Sequence, residues 1–121
     1  MPNGKILAID DERNIRRLIR NEFSFEGFEV ATAGSGEEGL RVFEGDRFDA
    51  VLLDIKLPKM GGIQTLRSIK AAAPDAEVIM ITGYGDVQSA VEAMKLGARD
   101  YITKLTFHTL NRSFKKFFHS I

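Results

Sequence analysis

The chain has 121 residues, 44% hydrophobic and 28% charged, with seventeen basic and seventeen acidic side chains in formal balance. That length supports one domain able to bury roughly two-thirds of its unfolded surface, and the balanced charge gives no global attraction to nucleic acid. The absence of cysteine excludes disulfides, thiolate nucleophiles and zinc–thiolate clusters; apolar runs of about four residues, against the roughly 18 of a membrane span, exclude a transmembrane helix, and Met1-Pro2-Asn3-Gly4-Lys5 has no signal-peptide core, so a cytoplasmic location is expected by default.

In chain order, Ile6-Leu7-Ala8-Ile9 predicts a first strand running straight into Asp10-Asp11. Ile15, Leu18, Ile19 and Phe23 recur at helical spacing, and Gly27 ends that helix. Phe28 to Ala33 predicts the second strand, and Ser35 with Glu38 forms an S-x-x-E capping box for a helix carrying Leu40 and Phe43. The third strand, Val51-Leu52-Leu53, ends in Asp54. Pro58 and Gly61-Gly62 then mark a loop before a helix with Ile63, Leu66 and Ile69. A fourth strand, Val78-Ile79-Met80-Ile81, meets Thr82, and Asp86 is placed to cap a helix expected to bury Val87, Ala90, Val91 and Met94 before Gly97. The last strand, Tyr101-Ile102-Thr103, meets Lys104. Beyond it Phe107, Leu110, Phe114, Phe117, Phe118 and Ile121 predict one apolar helix stripe, with a second, basic stripe of His108, Arg112, Lys115 and His119. Residues 104–121 hold four basic residues and no acid, which leaves the remainder with an acidic excess.

Strands alternating with helices predict five βα units, hence a doubly wound α/β fold with a parallel five-stranded sheet and helices on both faces. The carboxyl ends of parallel strands lie along one edge, so Asp10, Asp11, Asp54, Thr82 and Lys104 are expected to converge there. Carboxylates about 5 Å apart at an effective dielectric near 20 repel by about 3 kcal/mol a pair, a cost that folding does not require and a bound cation removes. Oxygen-only ligation with no histidine or cysteine suits a hard ion. Helix capping offers an ordinary explanation for Asp10 or Asp11, but none for Asp54.

Asp10-Asp11, Asp54 in Asp-Ile-Lys-Leu-Pro-Lys-Met-Gly-Gly, Thr82 in Thr-Gly-Tyr-Gly-Asp, and Tyr101-Ile-Thr-Lys104, in this order over almost the whole chain, resemble the receiver domains of two-component response regulators. The resemblance implies a (βα)5 receiver domain over residues 1–121 with strand order 2-1-3-4-5, and Asp54 as phosphoacceptor taking a phosphoryl group from a partner histidine kinase or phosphotransfer protein. It also implies that Asp11 binds Mg²⁺ directly, Asp10 through the ion's water shell, and the backbone carbonyl of Lys56 completes the protein ligands. Lys104 is then expected to pair with Asp54 before transfer and with a phosphoryl oxygen after it, Thr82 to follow inward, and Tyr101 to rotate into the vacated space. The surface of the fourth helix, fifth strand and fifth helix would change for a downstream protein or output domain, and the side chains of Lys56 and Tyr84 match positions that tune phosphoryl lifetime. Such a chain accepts a group without being an enzyme in the turnover sense, although it can slowly autodephosphorylate.

One departure is Leu105, where the family carries a proline after the lysine, joined by a cis bond. A cis bond costs about 2.5–4 kcal/mol without proline, so Lys104-Leu105 is expected to be trans. This departure keeps open a receiver-like interaction module that no longer accepts phosphate, against which stands the complete acidic set. A remoter alternative is Gly34-Ser35-Gly36-Glu37-Glu38-Gly39, which matches the G-x-G-x-x-G dinucleotide fingerprint, but Glu37 and Glu38 would oppose a pyrophosphate and the capping box explains the same letters. There is no G-x-x-x-x-G-K-[ST] loop, no G-x-S-x-G elbow, and no Asp-x-Asp signature at Asp54.

Overall fold

The computed structural model describes residues 4–83 and 86–104. Five strands, β1 (Gly4–Ile9), β2 (Phe28–Ala33), β3 (Ala50–Asp54), β4 (Val78–Thr82) and β5 (Asp100–Thr103), form one parallel sheet in the order β2-β1-β3-β4-β5. Between them run α1 (Arg13–Phe25), α2 (Gly36–Glu44), α3 (Gly62–Ala72) and α4 (Val87–Lys95). The predicted last helix, with its apolar and basic stripes, Tyr84, and the Lys104-Leu105 bond all lie outside the described residues.

Both sheet faces are covered, so the central strands are apolar on alternate sides rather than on one. Leu7, Ile9, Val51, Leu53, Val78 and Met80 pack with Leu66 and Ile69 of α3, Ala90 and Ala93 of α4, and the half-buried Leu40 and Phe43 of α2. Ile6, Ala8, Ala50, Leu52, Ile79 and Ile81 pack on the other face against Ile15, Ile19 and Phe23 of α1. The chain winds outward from β1 to β2, then crosses back to β3 on β1's other side. That reversal opens a crevice between the carboxyl ends of β1 and β3, the usual ligand position in such sheets.

Local chemistry sets the helix ends. Gly27, with φ of 95°, lets the chain leave α1 in the left-handed region that a side chain disfavours. The Ser35 hydroxyl accepts from the Glu38 N–H at 3.1 Å, as the capping box predicts, while the Glu38 carboxylate accepts from the Gly34 N–H at 2.6 Å.

Two expectations for α4 need correction. Asp86 occupies the N-cap position, yet its side chain makes no capping bond; its Oδ2 accepts from the Gly83 N–H at 3.1 Å, and Oδ1 lies 3.2 Å from Lys56 Nζ. The buried face of α4 is Ala90 and Ala93, whereas Val87, Val91 and Met94 are exposed. Periodicity locates apolar stripes, but close approach to the sheet and α3 favours the small alanines over the larger side chains.

Candidate phosphoacceptor site

The site grows from three strand ends. Asp10 follows β1 with its N–H bonded to the Ala33 carbonyl at 3.1 Å, and Asp54 ends β3, where the next N–H, of Ile55, bonds the Ile81 carbonyl at 3.0 Å. Backbone pairing thus fixes both residues before their side chains act. Each carboxylate then folds back on its own chain: Asp10 Oδ1 accepts from the Glu12 N–H at 2.8 Å, and Asp54 Oδ1 from the Lys56 N–H at 3.1 Å. These bonds leave both Oδ2 atoms facing Lys104, whose Nζ lies 3.5 Å from Asp10 and 3.3 Å from Asp54. Asp11 completes the group from the exposed side; one carboxylate oxygen from each of the three acids lies within 4.8 Å of the others.

The electrostatics are unbalanced. Asp10 and Asp54 are 0% and 1% exposed, so water does little to soften their charges. Burial, followed by repulsion from Asp10, pushes the Asp54 carboxyl up to about 7 against the pull of Lys104 and of the Lys56 N–H. Burial also pushes Asp10 up, opposed by its bond from the Glu12 N–H and by Lys104. Burial alone would lower the Lys104 ammonium, but its hydrogen bond to Glu12 and the charges of Asp10 and Asp54 prevail and raise it. One ammonium therefore serves three carboxylates, because Glu12 holds it too. Asp10 Oδ2 is buried and accepts no hydrogen bond. A buried carboxylate oxygen without a donor, beside two more acids and without histidine or sulfur, fits a hard oxygen-seeking cation such as Mg²⁺.

The structure brings Asp10, Asp11, Asp54 and Lys104 together as the strand ends predict. Thr82, at the end of β4, is buried with its hydroxyl donating to the Ile102 carbonyl at 3.3 Å, and Tyr101 lies partly exposed on β5. The exposed Lys56 side chain reaches Asp86. The sequence assigns no site role to Glu12 or to Arg16, whose Nη1 donates to the Asp10 carbonyl at 2.7 Å, and gives Asp86 only a capping role. Glu12 carried a signal, as the third acid in a row after a strand; the contacts of the other two became visible only through packing. Helix capping does not account for the acids either, since Glu12 itself is the N-cap of α1 and makes no side-chain capping bond.

The glycine-rich loop serves packing. A Cβ on Gly39 would come 2.4 Å from Ile9 Cδ1, and one on Gly36 2.3 Å from Thr65 Oγ1. The donors of Gly34 and Glu38 are already taken by Glu38 and Ser35.

A family model for the response regulator receiver domain matches residues 6–111. The chain is 40% identical over 101 residues to the regulatory protein AtoC of Escherichia coli, covering 84% of this chain and 22% of AtoC. It is 34% identical over 100 residues to the response regulator MprA of Mycobacterium leprae, covering 83% of this chain and 44% of MprA. It thus spans less than half the length of these relatives. Among solved structures, the receiver domain of NtrX from Brucella abortus superposes with a TM-score of 0.85 at 33% identity, covering 96% of this chain and 99% of that one. The response regulator TrrA of Thermotoga maritima, solved in complex with Mg²⁺–BeF, gives 0.80 at 36% identity over 96% of this chain and 98% of that one. The chain belongs to the response regulator receiver domain family of two-component signalling.

Proposed function

We propose that Asp54 is the phosphoacceptor and that residues 1–121 act as one receiver unit. The supporting observation is the buried pair Asp10 and Asp54, joined by Asp11 and sharing Lys104, at the crevice between β1 and β3. An ionised Asp54 oxygen attacks the phosphorus of a phosphohistidine on a kinase or phosphotransfer protein. The phosphorus–nitrogen bond breaks, its electron pair leaves with the imidazole, and an acyl phosphate remains on Asp54. Asp10, Asp11, Asp54 and the Lys56 carbonyl would hold Mg²⁺, which when bound supplies positive charge beside the phosphoryl oxygens.

Lys104 exchanges its carboxylate partners for a phosphoryl oxygen, a charge-assisted bond held in readiness by Glu12. The 3.3 Å bond from Thr82 to Ile102 is long and easily exchanged for a phosphoryl oxygen, which frees space for Tyr101. The consequence is an altered surface around α4 and β5, where Val87, Val91, Met94 and Tyr101 are already exposed, read by an effector protein or output domain. Lys56 and Tyr84 would set how long the acyl phosphate lasts. Likeness to the longer relatives supports a cytoplasmic signalling role of this kind.

Intact mass after incubation with a small acyl phosphate, with and without Mg²⁺, tests the proposal. One phosphoryl group should add only with the metal, and Asp54→Asn should add none. An adduct that survives in Asp54→Asn would overturn the assignment of Asp54. No adduct and no Mg²⁺ binding in the unaltered chain would indicate the phosphate-silent interaction module.

A further inference from the structure

Arg13, Arg16, Arg17 and Arg20 stand at i, i+3, i+4 and i+7 on α1, so they share one face of that helix. With Thr32 of the edge strand β2 they line a concavity of about 270 Å³. Folding does not call for this arrangement, because α1 buries Ile15, Ile19 and Phe23 on another face. Four like charges at these spacings repel one another. They also crowd the first two turns of α1, whose first turn has no acid, so they meet the positive end of the helix dipole.

Among the described residues, none of the four arginines forms an ion pair with an acid, and the nearby acids are engaged elsewhere. Glu12 pairs with Lys104, and Glu38 takes the Gly34 N–H. Two arginines are braced: Arg16 by the Asp10 carbonyl, and Arg20, whose Nη2 donates to Thr32 Oγ1 at 3.0 Å. Thr32 keeps its own hydroxyl proton to donate, while the exposed Arg13 and Arg17 present open guanidinium forks.

We propose that this arginine face, closed by Thr32, binds a small di- or triphosphate anion. Guanidinium forks match phosphate oxygens two at a time, and several converging forks suit a ligand with more than one phosphate. The cavity is smaller than a typical drug-sized site, which suits a phosphate chain or headgroup rather than a large organic body. An extended nucleic acid would need a longer basic track than one face of a chain with zero net charge provides.

Titration calorimetry of the full chain with inorganic pyrophosphate and triphosphate, in chelator and at low salt, tests this site apart from the acidic one. Saturable binding of one anion is expected, weakening steeply with salt. Arg13→Gln with Arg17→Gln should reduce affinity at least about tenfold. Both side chains are exposed and their charges oppose one another and the helix dipole, so the double variant should melt no lower than the unaltered chain, and Asp54→Asn should bind unchanged. No saturable binding, or full affinity in the double variant, would overturn the proposal. So would tighter binding of a short acidic peptide or of duplex DNA than of triphosphate, which would assign the face to a macromolecule.

Discussion

Asp54 is the residue on which stability and chemistry pull in opposite directions. Its carboxyl sits near 7 when folded and at 3.8 in an unperturbed chain, so between those values the folded state binds more protons than the unfolded one. Stability of the metal-free protein should therefore fall as pH rises from about 4 to about 7, then level off. Asp10, also raised, acts in the same direction. Lys104 adds no slope there, because an ammonium raised by its partners stabilises fully until pH passes its ordinary value of 10.5. The lowered Asp46 carboxyl runs the opposite way, but its pair with Lys5 lies at the surface and contributes little. Asp54→Asn should flatten the slope and raise stability at pH 8 by roughly 1–3 kcal/mol, as urea melts in chelator between pH 4.5 and 8 would show. An unchanged slope would mean that the buried acids are not the source.

At the scale of elements, two glycines separate a clash with a core side chain from a clash with the backbone. A Cβ on Gly39 meets the buried side chain of Ile9, 2.4 Å from Cδ1 and 2.8 Å from Cγ1, so the core must repack there, while the helix gains about 1 kcal/mol of propensity from alanine. A Cβ on Gly62 meets the Asp54 carbonyl at 2.2 Å and Ile55 Cα at 2.6 Å, backbone atoms held by the sheet. Gly39→Ala should cost about 1 kcal/mol and spare phosphoryl acceptance. Gly62→Ala should cost about 3 kcal/mol or more and impair acceptance, because relief requires moving the end of β3. Denaturant melts with the intact-mass assay distinguish the two; equal effects would mean that α3 can withdraw from the β3 end.

For the whole molecule, the strand reversal between β1 and β3 makes stability depend on what fills the crevice. A divalent cation that binds only the folded acids stabilises by mass action, so the melting temperature at pH 8 should climb steadily with Mg²⁺. Asp11→Asn should abolish that rise while melting normally without metal, since Asp11 is exposed. A full Mg²⁺ response in Asp11→Asn, followed by differential scanning calorimetry, would remove Asp11 from the ligand set.

Sequence by itself determined the parallel α/β architecture and the convergence of Asp10, Asp11, Asp54 and Lys104. Alternating apolar runs require a two-sided sheet, and a parallel sheet brings its strand ends to one edge whatever the loops do. Tertiary structure alone decided how Lys104 is divided among Asp10, Asp54 and Glu12, that Asp86 pairs with Lys56 instead of capping α4, and that Ala90 and Ala93 face inward while Val87, Val91 and Met94 face out. Those outcomes turn on distances of an ångström or two between segments far apart in the chain. Spacing along one helix names its apolar stripes, but only the space left by the neighbouring strand and helix decides which stripe can approach.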